Sequence, residues 1–300
     1  MDTKLKMNRK AAKAPNAATM PVVAPTRRRP RAMRLAVVAV AAALLPLLVC
    51  ARSAEAAASQ QAFAVIVNGD DSFTHNFNVS LALEALAHLQ YPPQNTFVLA
   101  AKVEATDPGS AAIHWVAATN QGLEETTRAL RTRMHAEDLL LIYLTGHGFR
   151  AFGHAELKLS RGSVSAESFM HAVSVLPFGK LILIADQCDS GGFVNAAGKL
   201  GRNVVAVSSA DDHHEVRCEP FIRPFWQAAI ASDPAGAGAA SVEASFKAGE
   251  ASLARSLGTV EQIAPQYLAT GNCREHSNQL SVAPALAALA SSGEPQPAGR

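Results

Sequence analysis

The sequence lacks most of the short motifs that mark a cofactor or a common hydrolase. It has no G-x-S-x-G elbow, no Walker loop and no G-x-G-x-x-G, so the serine-hydrolase, P-loop and dinucleotide-binding signatures are missing. Its four cysteines, Cys50, Cys188, Cys218 and Cys273, contain no C-x-x-C pair, which excludes a structural zinc ribbon. Aromatic residues are scarce at 6%, so Ala, Val and Leu must fill the core. A balance of 49% hydrophobic to 17% charged residues is too apolar for a disordered or fibrous chain.

The formal net charge of +2 over 300 residues averages two unlike parts. Residues 1–56 hold 11 of the 27 Lys and Arg against two acids, which leaves 16 basic and 23 acidic residues elsewhere, net −7. An acidic body argues against nucleic acid as a partner. Within the basic part, five arginines over 27–34 precede an uncharged stretch, 35–51, broken only by Pro46. Ala54-Glu55-Ala56 then supplies a small-x-small exit. This order predicts a secretory signal in a 1–56 leader, hence a secreted or periplasmic protein. The alternative is an anchor through 35–51, at the short limit for spanning a bilayer. Membrane contact is expected only through this segment.

The body alternates between two patterns. Short apolar runs at 63–67, 96–100, 138–144, 181–185 and 203–208 predict strands, and 138–144 (DLLLIYL) and 181–185 (LILIA) are apolar enough to be buried on both faces. Leu157 and Leu159 around Lys158 suggest a hairpin arm. Helical spacing falls at 79–89, 123–134, 165–176 (with Ser165 as cap), 221–231 and 242–257, and Phe225 and Trp226 are assigned to the core. Strand and helix in alternation predict an α/β fold: a mainly parallel central sheet in a three-layer α/β/α arrangement. One domain is expected over 60–285. The segment 232–241 reads as a loop, and 286–300 as a flexible tail.

Two buried strands run into reactive residues. The first leads to Thr145-Gly146-His147-Gly148, the second to Asp186-Gln187-Cys188-Asp189-Ser190-Gly191-Gly192. Ligands of open parallel sheets sit beyond the carboxyl ends of the strands. If these strands are neighbours, joined by the 165–176 helix, His147 and Cys188 emerge side by side. A thiol and an imidazole are the minimum for nucleophilic thiol catalysis, and flanking glycines let backbone approach a substrate closely. Asp211-Asp212-His213-His214-Glu215 with Cys218 holds possible metal ligands, but adjacent residues rarely converge on one ion. No metal or cofactor is expected.

YLTGHGF and LILIADQCDSGGF resemble the His-Gly and Cys motifs of caspase-like cysteine peptidases, most closely the legumain-like branch (peptidase family C13) and its bacterial secreted members. Asn203 to Cys218 (NVVAVSSADDHHEVRC), and Ala264-Pro265-Gln266-Tyr267 followed by Gly271, are similar to later segments of that family. The resemblance spans about 62–272. It implies a caspase/legumain-like fold and peptide-bond cleavage, with Cys188 as nucleophile and His147 as general acid/base. The backbone N–H groups of Gly148 and Cys188 would form the oxyanion site. Asp186 and Asp189 bracket the thiol and would tend to raise its pKa.

The resemblance also places His75 and Asp186 in the substrate pocket, with cleavage after Asn or Asp. Thr74 stands where the family carries an arginine, which departs from that pattern. Ser208 and Ser209 would add to the pocket wall, and residues 211–215 would cover the cleft. Cys218 and Cys273 would either pair, tying that loop to the C-terminal segment, or stay as two thiols. The partner is then a peptide or protein substrate; the oligomeric state is left open. A transamidase or ligase using the same acyl-enzyme, and an inactive peptide-binding scaffold, are the competing functions.

Overall fold

Phe63 and Ala64 already show how the sheet is built: both are buried, and they point into different cores. The computed structural model describes residues 60–103, 112–214, 219–232, 241–257, 264–271 and 280. The leader, the tail, Cys218 and Cys273 lie outside them. In chain order the first half runs β1 (Ala62–Asn68), α1 (Phe73–His88), β2 (Thr96–Ala100), β3 (His114–Ala117), α2 (Asn120–Arg133) and β4 (Asp138–Thr145). Then come β5 (Gly148–Ala151), β6 (His154–Lys158), β7 (Ser163–Ser165), α3 (Ala166–Ser174), β8 (Phe178–Asp186) and α4 (Gly191–Gly198). The last elements are β9 (Val204–Ser208), α5 (Glu219–Ala231), α6 (Val242–Leu257) and β10 (Gln266–Ala269).

Seven strands form one sheet in the order β10-β9-β8-β4-β1-β2-β3, and β5, β6 and β7 form a small antiparallel sheet of their own. All neighbours in the large sheet are parallel except β10 against β9. The period-2 geometry of a strand sends alternate side chains to opposite faces. Ile66, Leu141, Tyr143 and Ile184 therefore meet α1, α5 and α6, around Phe225 and Trp226. Val65, Leu140, Ile142 and Leu183 meet α2, α3 and α4 instead. The result is the three-layer α/β/α arrangement with a mostly parallel sheet. The buried runs 139–144 of β4 and 181–185 of β8 are what this architecture requires, because both faces of these strands are covered.

Several boundaries differ from the sequence expectation. Helix α1 starts at Phe73 rather than 79. Its first turns (FTHNFN) carry no apolar stripe, and the first buried members there are the polar His75 and Asn78. Strands β3, β5, β7 and β10 and helix α4 were not anticipated as elements. The expected cap of α3 is present: the Ser165 hydroxyl accepts the Ser168 N–H at 3.1 Å. Among the described residues, no helix is long and apolar enough to cross a membrane. The segment 35–51 is not among them.

Candidate active site

The sheet's connections reverse between β1 and β4. From β1 the chain moves outward to β2 and β3; from β4 it moves the other way to β8 and β9. The carboxyl ends of β1 and β4 thus flank a topological switch point, where open α/β sheets bind ligands. The register aligns the candidate residues along that edge. Asn68 pairs with Thr145, and Thr145 with Asp186. His147 and Cys188 each lie two residues beyond a paired position, so adjacent strands deliver them to the same border.

Local backbone brings them closer. Gly146 has φ +116°, a region that favours glycine, and it turns the chain sharply after β4. A Cβ on Gly148 would stand 2.0 Å from the Cys188 carbonyl oxygen, so the two backbones touch and only glycine fits. Asp189, just past the thiol, has φ +56°, and its N–H donates to the His214 carbonyl at 3.1 Å. Cys188 itself is a half-buried thiol, and the His147 side chain is 55% exposed. The pair therefore faces the surface rather than the core.

The imidazole has a neighbour that the sequence reading did not name. Asp70, two residues past β1, places Oδ2 3.7 Å from His147 Nε2 and 3.8 Å from His75 Nε2. The two rings meet edge to face with centroids 5.4 Å apart. Burial alone would raise the Asp70 pKa, but the Ser72 hydroxyl and N–H and the two imidazoles outweigh it and hold the carboxyl below its usual value. The one signal for it in the sequence is that Asn68-Gly69-Asp70 ends an apolar strand, as the two motif segments do.

His75 lies on α1 and is only 7% exposed, so it is not a solvated loop residue. Its Nδ1 is hydrogen-bonded to Thr145 Oγ1 at 3.2 Å. Thr145 Oγ1 in turn donates to Asp186 Oδ2 at 3.4 Å, and Tyr143 Oη donates to the same oxygen at 3.2 Å. One chain of bonds therefore joins the two residues expected in the substrate pocket. When the threonine proton is given to Asp186, the hydroxyl accepts from His75 and the imidazole proton lies on Nδ1. Gln187, between Asp186 and Cys188, is buried with no side-chain hydrogen bond among the described residues.

The two serines separate. Ser208 Oγ donates to the Ala210 carbonyl at 2.6 Å and accepts the Gln266 N–H at 3.3 Å, so it ties β9 to β10. Ser209 is buried with its hydroxyl unbonded among the described residues, one step past the Ala185–Ser208 pair. Residues 211–214 fold against the thiol turn. Gly191 N–H donates to the Asp211 carbonyl at 3.1 Å, and the Asp211 carboxylate holds His214 Nδ1 at 2.8 Å. Arg150 bonds the Asp212 carbonyl from the small sheet.

The chain matches no protein-family model and no curated protein. The arrangement itself offers a thiol, an imidazole whose Nε2 lies 3.7 Å from a carboxylate, and glycine-lined backbone at one strand edge. That set suits covalent acyl transfer, with the imidazole moving the proton.

Proposed function

We propose that this chain is a cysteine endopeptidase of the legumain-like type, cutting after Asn or Asp. The observation that carries the reading is the register of β4 against β8. It delivers His147 and Cys188 to one border at the switch point, with Gly148 packed on the Cys188 backbone. His147 takes the thiol proton, and the sulfur attacks the substrate carbonyl to give a tetrahedral oxyanion held by the Gly148 and Cys188 N–H groups. The same imidazole passes the proton to the leaving amine as the C–N bond breaks. Water then hydrolyses the thioester, and the thiol is restored. Asp70, at His147 Nε2, orients the ring so that Nδ1 serves the sulfur.

His75 and Asp186, tied through Thr145, supply the polar pocket for the residue before the cut. Exposed Phe73, Phe77 and Phe149 follow the ends of β1 and β4 and give an apolar rim suited to a peptide. The leader carries the protein out of the cytoplasm and is removed after Ala56. N-terminal sequencing of exported protein should then begin at Ala57; retention of 35–51 would mean an anchored form.

The decisive experiment digests a peptide library with the purified full chain. Cuts should cluster after Asn or Asp, and Cys188→Ala should reduce turnover by about 10⁴-fold or more with an unchanged circular dichroism spectrum. Cleavage at the wild-type rate in that variant would refute the nucleophile. No cleavage by either protein would favour a peptide-binding scaffold, and amine-capped products would favour a ligase.

A further inference from the structure

We propose that Asp70, His75 and His147 form a Zn²⁺ site that switches the thiol chemistry off; the switching, though not the binding, rests on the function proposed above. Among the described residues, these three side chains bring one ligand atom each within 4.8 Å of one another. Asp70 Oδ2 stands 3.8 Å from His75 Nε2 and 3.7 Å from His147 Nε2. Zinc bonds of about 2.0–2.1 Å in a tetrahedron set ligand atoms roughly 3.4 Å apart. These two separations exceed that by a few tenths of an ångström, and the ligand atoms of the two histidines lie within 4.8 Å of one another. His147 is exposed and Asp70 lies on a loop, so both can close that gap toward the buried His75.

The donor set selects the ion. Two imidazoles and one carboxylate suit a borderline cation such as Zn²⁺, whereas Mg²⁺ and Ca²⁺ prefer oxygen throughout. His75 is already prepared. Its Nδ1 is hydrogen-bonded to Thr145, which is bonded to Asp186, and its Nε2 stands 3.8 Å from Asp70 Oδ2. A hydrogen bond at the second ring nitrogen is the usual support of a metal-bound histidine. Among the described residues, including the loop at 211–214, no other group of three such ligands comes this close together. A fourth position at the exposed His147 side is open to water.

Occupancy has a defined chemical effect. A metal on His147 Nε2 displaces the proton that this nitrogen carries in the active ring, and the neutral ring then keeps its one proton on Nδ1. The ring then cannot accept the thiol proton, and no general base remains.

The test titrates the full chain with Zn²⁺ by calorimetry in a Cys188→Ala background, so that the thiol adds nothing. We expect a Zn²⁺ site weakened at least tenfold by Asp70→Asn and by His75→Gln and unchanged by His214→Ala. Asp70→Asn guards against a folding failure at buried His75, and circular dichroism verifies each variant. Affinity indifferent to Asp70→Asn and His75→Gln, or lost with His214→Ala, would overturn the site. In wild-type protein, peptide hydrolysis should stop with Zn²⁺ and return with chelator. Hydrolysis that requires Zn²⁺ would overturn the off-switch. Zinc bound at these residues in a protein that cuts no peptide with or without metal would leave the site standing and remove the peptidase reading.

Discussion

Asp70 shows how much one side chain at a strand end can carry. It sits between two imidazoles, accepts the Ser72 N–H at 3.3 Å, and has its carboxyl held below the usual range. A carboxyl whose pKa is lower in the folded than in the unfolded chain stabilises the fold above its unfolded value, about 4, and loses that contribution as pH falls through the folded value. Asp70→Asn removes this contribution. The difference in denaturant midpoint between wild type and variant should therefore be widest above about pH 5 and shrink as the pH falls below about 4. Asp211, whose carboxyl is also held low, is present in both proteins and cancels. A gap that stays constant through that window would show that Asp70 acts by packing alone. The reactive pair itself was legible in the sequence because His147 and Cys188 each follow an unbroken apolar run. Asp70 was missed because a lone acid after Asn-Gly reads equally well as a turn. Its importance arises only when α1 carries His75 back over the same border.

Elements with two covered faces announced themselves, and elements at the margins did not. β2, β4 and β9 have buried apolar runs whose bounds match the sequence expectation to within a residue, whereas β8 begins at Phe178, three residues before the expected 181. β3, β5 and β10 are only partly buried, so neither alternation nor a continuous apolar run marks them. Helix α4 opens with Gly191-Gly192, poor helix formers on propensity. It forms because tertiary packing demands it: a Cβ on Gly191 would lie 2.5 Å from the Asp211 carbonyl carbon, and one on Gly192 2.4 Å from Ala155 Cβ. Helix caps show the opposite case, where local chemistry is readable and separable from the site. Ser165 caps α3, and its exposed hydroxyl bonds only Ser168. Ser165→Ala should cost about 1 kcal/mol in chemical denaturation. The rate at which iodoacetamide labels Cys188 should not change, since α3 joins β4 to β8 without supplying a group to the border. A slower or faster labelling rate would mean that α3 tunes the thiol directly.

At the scale of the whole molecule, each central strand belongs to two cores at once. Leu140 and Leu141 are adjacent and fully buried, yet Leu140 packs with α2, α3 and α4, and Leu141 with α1, α5 and α6. Trp226 is confined to the second core, where its ring meets Tyr143 edge to face at 5.2 Å. A strand cannot keep one face ordered after losing the other, because both faces hang on the same backbone hydrogen bonds. The layers should therefore unfold together. Leu140→Ala and Leu141→Ala should each cost roughly 2–5 kcal/mol. Leu140→Ala, although it lies across the sheet from Trp226, should shift the tryptophan fluorescence transition and the circular dichroism transition by the same amount. If the fluorescence midpoint stayed at its wild-type value while circular dichroism moved, the two cores would be separate folding units. The edge that carries His147 and Cys188, which needs β1, β4 and β8 in fixed register, would then rest on only one of them.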